Sequence, residues 1–426
     1  RYRAHEATNN PMRKCEGVIE CFTARHMPRN GQWVLVSAVV PIRMHPMKFR
    51  IRRLRLKNWK NFTEVDIPIE DRVFLVGPNA SGKSNFLDVL RFLRDLVSPG
   101  GGFEHAVNLR GGISVIRSLA ARRDPAVEID ISLAADRDEW QYLIAFSSEK
   151  NRKAPVIEKE YVRRNQEILL DRPDEHDKND PLRLTQTALE QINVNRPFRE
   201  LADFFGSIRY LHLVPQLIRE PNRFALAYDD PYGSDFLYQI AKTPERTRAR
   251  RFALILSALR AVIPQLKEIE LRRDERGNPH LDGKFEHWRP NGAWQNETCL
   301  SDGTIRLIGL LWIAMEKGGP LLLEEPEASL HPAIVRVLPQ TFARILRQSG
   351  RQVFVSTHSP DLLQDEGISP REVLLLNPSK EGTRVTPTNQ DNLIRAVLEG
   401  GLSLADIVIS ASGPDHPEQL HLFQSS

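Results

Sequence analysis

Cysteine is scarce: the 426 residues contain three, Cys15, Cys21 and Cys299, too few for a disulfide framework. Uninterrupted apolar runs are short as well. The longest, "WVLVSAVV" and "LIGLLWIAM", fall well below the roughly 18 residues a membrane span needs. No stretch joins basic, apolar and small residues in the manner of a signal peptide. An internal repeat is missing, and so is a heptad run long enough for an extended coiled coil. These absences lead to the expectation of a soluble, cytosolic chain, long enough to bury a large core in one domain or two intimate ones. Cys15, Cys21 and His26 suggest zinc, but a fourth ligand at plausible spacing is missing, and an ordinary tail is the competing reading.

Charge of one sign is concentrated at one end. Residues 1–60 hold 14 Lys and Arg against three acids, so the remainder of a chain of net charge +4 is net acidic. Arg50, Arg52, Arg53, Arg55 and Lys57 lie along "MKFRIRRLRLKNWKNF", which reads as an edge strand. Basic residues there either meet nucleic acid or guard the edge against pairing. A second run, Arg246, Arg248, Arg250 and Arg251, falls on a predicted helix, where a DNA contact and a solvated basic face compete in the same way.

Periodic structure starts sharply at Met47, so residues 1–46 read as an appended or weakly ordered extension and 47–426 as the functional domain. Within it the pattern predicts a strand over 48–57, another near "TEVDI", then "RVFLV" running into a glycine loop and the helix "KSNFLDVLRFLRDLV". "SPGGG" ends that helix. "AVEIDISL", "WQYLIAF" and "VIEKEYVRR" alternate as strands of an antiparallel sheet. The polar run 171–181 reads as a loop or disordered link, "IRYLHLV" as a strand, and 234–271 as helical. The remainder alternates: a helix from 304, the strand "PLLLEE", a helix from about 332, the strand "QVFVST", a helix from about 360, and the strand "EVLLLN". The expected divisions are a 47–220 lobe with the antiparallel insertion, a 221–300 helical lobe and a 301–426 part.

The strongest chemical signal is "GPNASGKSN", whose first eight residues fit G-x-x-x-x-G-K-[ST]. Gly77, Pro78, Asn79, Ala80, Ser81 and Gly82 form the loop, and Lys83, Ser84 and Asn85 open the helix. Glycines let the backbone turn its amides toward phosphate oxygens, and the helix N-terminus adds partial positive charge. Lys83 would neutralise β- and γ-phosphates, and Ser84 would hold Mg²⁺. The bland alternative is a glycine turn with an exposed lysine. "LLLEEPEASLHP" places Glu324 at the end of a buried strand, within reach of a metal's hydration shell. Glu325 follows it, able to orient or deprotonate water. These acids otherwise simply leave the core at a strand end. His358 follows "QVFVST" at the carboxyl end of a strand, where ligands bind in open α/β sheets; a lone histidine there is also commonly structural. "LSDGTIRL" either caps a helix or offers its N-terminus to an anion.

Together "NWKNF", "GPNASGKSN", "LSDGT", "LLLEEPEASLHP" and "STHSPDLL" resemble the ABC-type ATPases, and within them the SMC/RecF-like group with the related AAA_21 and OLD (overcoming lysogenization defect) proteins, over about Met47 to residue 400. The resemblance implies an α/β P-loop NTPase fold of ABC type: a mixed central sheet flanked by helices, with an antiparallel β subdomain and a helical lobe. It implies ATP and Mg²⁺ as cofactors, and a second copy of the chain as partner. In that arrangement Ser301 and Gly303 of one protomer close on the nucleotide held by the other. By position Lys83 and Ser84 are Walker A, Glu324 and Glu325 Walker B, Glu327 to His331 the D-loop, and His358 the switch. Gln216 is the candidate metal and γ-phosphate sensor, and Lys60 the basic residue near the nucleotide, with a surface lysine as its alternative.

Asp302 and Thr304 depart from the Gly and Gln of the usual ABC signature and are similar to the AAA_21 form. Too few residues separate Gln216 from Ser301 for an SMC-type coiled coil. The roughly 70 after His358 are too few for the Toprim nuclease of OLD relatives, so any DNA cutting is expected from a separate nuclease or toxin effector. The functional expectation is an ATPase coupling dimer closure to DNA transactions or effector control, in repair, chromosome maintenance or anti-phage defence. Its alternative is a low-turnover, nucleotide-gated scaffold. The nucleotide-binding subunit of a transporter needs a membrane partner, which "LSDGT" and "NWKNF" argue against, and a GTPase is weakened by "LLNPSKEG", which lacks the acid of N-K-x-D.

Overall fold

The computed structural model describes residues 21–26, 34–39, 49–121, 126–148, 154–220, 230, 232–288 and 293–407. The chain divides into two units, Arg1–Met47 and Lys48–Ser426. In the first, β1 (Cys21–His26) pairs antiparallel with β2 (Val34–Val39); Cys15 of the zinc reading lies outside the described residues.

In the second unit β3 (Phe49–Trp59) and β4 (Phe62–Pro68) form a hairpin, and β5 (Arg72–Val76) runs into the glycine loop. Next come β6 (Val127–Ala135), β7 (Asp138–Ser148), β8 (Pro155–Arg164) and β9 (Glu167–Arg172). A short β10 (Arg209–Leu211) precedes β11 (Leu266–Arg273), β12 (Pro279–Phe285) and β13 (Ala293–Gln295). The last four are β14 (Leu321–Glu324), β15 (Val353–Thr357), β16 (Val373–Ser379) and β17 (Gly382–Pro387).

One sheet is antiparallel throughout, in the order β4-β3-β6-β7-β8-β9. The basic strand β3 is therefore internal rather than an edge, because β4 covers one side and β6 the other. Its arginines meet acids: Arg50 pairs with Asp71 at 2.5 Å, Arg53 with Asp66 at 2.6 Å, and Arg55 with Asp130 at 3.2 Å. Each such surface pair is worth about 1 kcal/mol or less. Together they offset part of the strand's positive charge.

The polar run 171–181 is also ordered, against expectation. Asp174 and Asp177 form a reciprocal capping box on the helical turn Glu175–Asn179. Arg172 is buried between Asp177 at 2.8 Å and Glu160 at 3.1 Å. The run read as a loop or disordered link thus sends Arg172 and Asp177 inside, where they satisfy each other.

The central sheet has the order β10-β14-β15-β5-β16-β17 and is parallel apart from the β16–β17 hairpin. Its inner strands are largely apolar because both faces are covered: Val73, Leu75, Val76, Leu321, Leu322 and Phe354 are all buried. The helix Lys83–Val97 buries Phe86, Leu87, Leu90 and Leu93 at helical spacing. Its Phe92 stacks on Phe146 and meets Trp59 edge-on, both of the antiparallel sheet and each 5.4 Å away. Gln352 ties the two sheets together. Its amide accepts from Ile51 N at 2.6 Å and donates to Ile51 O at 2.9 Å, replacing a strand neighbour.

In the lobe that follows, helices Phe236–Lys242 and Glu245–Leu259 pack on a three-stranded antiparallel sheet, β11-β12-β13. The helical reading of 234–271 thus fails from Leu266 onward, where "LKEIELRR" becomes strand. On the second helix Arg246 and Arg250 are exposed, whereas Arg251 packs over Trp312 at 4.9 Å. The helix Asp302–Ala314 is buried from Thr304 to its end. The segment after 332 holds two helices, Pro332–Val335 and Leu338–Ser349. The helix expected from about 360 is only a 3-10 turn, Pro360–Gln364; the Asp365 carboxylate then takes the Gly367 amide at 2.7 Å and turns the chain. No helix among the described residues is long and apolar enough to cross a membrane.

Candidate functional site

The carboxyl ends of β5, β15, β14 and β10 lie side by side, and each delivers part of one site. Beyond β5 the backbone is left-handed at Ala80 (φ 61°) and Gly82 (φ 98°). A Cβ at Gly82 would land on the Asn61 amide, and one at Gly77 would sit 2.5 Å from Leu376 O. Both glycines are therefore required by close approach. The helix that follows has no side-chain cap and no acid in its first turn, so its amides face outward unopposed, as an anion site requires. Ser81 Oγ is buried without a hydrogen-bond partner among the described residues, a further group that a phosphate oxygen would satisfy.

Lys83 donates to Gly77 O at 2.8 Å and Pro78 O at 3.0 Å. Burial lowers its pKa to about 8, although Glu325, Glu324 and Glu327 oppose the shift. His358 Nδ1 stands 3.4 Å from Lys83 Nζ, and His358 Nε2 3.2 Å from Glu325 Oε1. Since an ammonium only donates, Nδ1 is the acceptor and Nε2 carries the hydrogen toward Glu325. Burial and then the Lys83 cation push the His358 pKa below its usual value, against Glu325, which keeps the ring neutral. Glu325 itself is left-handed (φ 44°), with its amide donated to Ser356 O at 3.0 Å. Glu327 is bound at Oε1 by Thr357 at 2.5 Å and by the His358 amide at 3.2 Å, joining the segment after β14 to the end of β15.

Glu324 accepts short hydrogen bonds from Ser84 Oγ and from Tyr210 Oη. Although burial works the other way, His212, Ser84 and Tyr210 hold its pKa down to about 2. A hydroxyl beside an ionised carboxylate is an oxygen donor set that fits a hard divalent cation. Among the described residues no group of three or more His, Cys, Asp or Glu could hold a metal, so a cation here would share its ligands with phosphate oxygens.

The candidates do not all converge. Gln216 is exposed and donates to Asp302 Oδ2 at 3.1 Å, and the described hydrogen bonds join it to neither Ser84 nor Glu324. Tyr210 and His212 are the residues beside Glu324 instead. Lys60 lines a groove of about 1310 Å³ beside the loop with Asn61 and Asn85, but its ammonium is held by Asp88 at 2.7 Å. Its neighbour Asn61 is the residue that grips the loop, donating to Ser81 O at 2.9 Å and accepting from Asn85 at 2.7 Å.

Ser301 is exposed and caps its own helix, accepting from Thr304 N at 3.2 Å. A Cβ on Gly303 would sit 2.9 Å from Ser329 O, so this glycine packs on the segment after β14 within the same chain. Asp302 is neutralised by Arg219 at 2.6 Å. Sequence reasoning missed Tyr210, His212, Asn61 and Arg219 as contributors, whereas Glu327 opens the D-loop that the resemblance implied.

A loop of this geometry on β5, carboxylates on β14 and a histidine on the strand between them define a P-loop ATPase of the ABC type. The family described as "AAA domain, putative AbiEii toxin, Type IV TA system" (AAA_21) matches residues 72–364. The chain belongs to that family. It is 35% identical over 86 residues to the DNA replication and repair protein RecF of Brucella abortus and of Brucella suis, a match covering 18% of this chain and 21% of each relative. The chain thus spans about a fifth of the length of the curated relatives it matches. Among solved structures, the SMC head domain from Thermotoga maritima is 15% identical, with 79% of this chain and 98% of that chain covered and a TM-score of 0.42. The Smc head domain of Pyrococcus furiosus bound to the C-terminal domain of ScpA is 15% identical, with 83% and 100% covered and a TM-score of 0.45.

Proposed function

We propose that this chain binds ATP with Mg²⁺ and hydrolyses it to ADP and phosphate as a dimer that closes around the nucleotide, coupling closure to DNA transactions or to control of a separate nuclease or toxin effector, in DNA repair and maintenance or anti-phage defence. The observation that carries the reading is the contact chain Lys83–His358–Glu325 standing beside the Ser84–Glu324 pair. Lys83 would leave the Gly77 and Pro78 carbonyls for β- and γ-phosphate oxygens. Ser84 and Glu324 would hold the cation, whose chemistry is to neutralise phosphate charge. His358 fixes one oxygen of Glu325, leaving the carboxylate to orient water and take its proton. Water attacks the γ-phosphorus, the bond to the bridging oxygen breaks, and the electron pair leaves with ADP.

The second chain would supply Ser301 and the helix N-terminus behind it. An acid facing a triphosphate is repulsive, and the Arg219–Asp302 pair supports the reading by removing that charge. Glu325→Gln should bind ATP, fail to hydrolyse it and accumulate as an ATP-bound dimer on sizing chromatography. A variant that remains monomeric with saturating ATP would contradict the proposal.

A further inference from the structure

We infer that His212, the residue just past β10, faces the metal and supplies an imidazole nitrogen beside Ser84 and Glu324, so that the site prefers a divalent cation that accepts nitrogen, such as Mn²⁺, over Mg²⁺; the inference rests on the nucleotide site proposed above. Register places it there. β10 runs parallel to β14, with Arg209 opposite Leu321 and Leu211 opposite Leu323. His212 is thus the next residue past the end of the strand, on the side of Glu324, where ligands meet an open parallel sheet. Its Nδ1 stands 4.0 Å from Glu324 Oε2, too far for a hydrogen bond and close enough for both groups to reach one ion.

Strand alternation puts Tyr210 and His212 on the same face. Tyr210 lies under the Arg91 guanidinium, 4.2 Å from its ring centre, and donates to Glu324 Oε2. Tyr210 therefore orients the carboxylate while His212 remains beside it, partly exposed with a side-chain accessibility of 32%. Its ring meets Tyr232 edge-on, with centroids 6.0 Å apart. The glutamine that the sequence offered for this duty, Gln216, is turned to Asp302. Mg²⁺ takes oxygen ligands, whereas imidazole suits transition-metal ions, so a histidine at this position changes the preference of the site.

The test is pulsed electron paramagnetic resonance of Mn²⁺ with β,γ-methylene ATP and the full chain in excess. Phosphorus coupling reports the nucleotide on the metal, and imidazole nitrogen coupling reports a histidine ligand. The expected wild-type spectrum contains both couplings. His212→Gln should lose the nitrogen coupling and keep the phosphorus coupling, while His358→Gln keeps both. The ratio of Mn²⁺ to Mg²⁺ affinity should fall about tenfold or more in His212→Gln, the scale of effects on residues surrounding a metal. Phosphorus coupling without nitrogen coupling in the wild type overturns the inference and leaves the nucleotide site intact. Nitrogen coupling that survives in His212→Gln overturns it as well. Failure of the chain to bind the Mn²⁺ nucleotide removes this inference together with the nucleotide site.

Discussion

Burial holds the Lys83 pKa near 8 against an ordinary 10.5, and this sets a pH dependence at a single residue. Below about 8 the ammonium is charged in both folded and unfolded chains, and its burial destabilises the fold. As pH rises from 8 toward 10.5 the unfolded chain holds more protons, so the unliganded protein gains stability from this group in that window. Nucleotide binding runs the other way, because phosphate favours the charged lysine. Affinity for a fluorescent ATP analogue should fall above pH 8, approaching tenfold per unit, and Lys83→Arg should flatten the curve. An unchanged affinity from pH 7 to 9.5 in the native chain would mean that Lys83 does not meet the phosphates. Residues of this kind were legible in the sequence because G-x-x-x-x-G-K-[ST] is a local spacing. Tyr210 and His212 were not: they meet Glu324 across more than 110 residues of chain, through a strand pairing no local pattern reveals.

At the scale of elements, one side chain standing in for a strand helps to join the two sheets, beside the bond from Thr383 N to Asn61 O at 2.7 Å. Gln352 is 2% exposed and satisfies both backbone groups of Ile51. Gln352→Leu should leave a buried amide and carbonyl unpaired and destabilise the chain by about 1–3 kcal/mol, read as a lower urea midpoint with an unchanged slope. A loss below a few tenths would mean that the other links, among them Thr383 N to Asn61 O, hold the sheets without Gln352. The short apolar strands and the helix after the glycine loop were readable because the apolar pattern is strong where burial is complete. The reading failed where short-range cues were ambiguous. "LKEIELRR" is part-exposed strand that alternates weakly; "DRPDEHDKND" reads as a loop or disordered link but buries Arg172 and Asp177 as a pair that also meets Glu160; β3 looked like an edge because its basic residues did not disclose their acidic partners.

For the whole molecule, the two helix N-termini near the motifs behave differently. That of Lys83–Val97 is open, whereas that of Asp302–Ala314 is capped by Ser301 and has Asp302 in its first turn, paired with Arg219. Within one chain "LSDGTIRL" therefore reads as a cap, and its service to a second chain's nucleotide is the central claim. Mixing Lys83→Ala with Ser301→Arg chains tests it most directly. Neither variant alone should hydrolyse ATP. Random pairing restores one composite site in half of the dimers, with Lys83 from one chain and Ser301 from the other, so the mixture should recover about a quarter of native ATPase activity per chain. A mixture no more active than the sum of its two parts would contradict a site shared between chains.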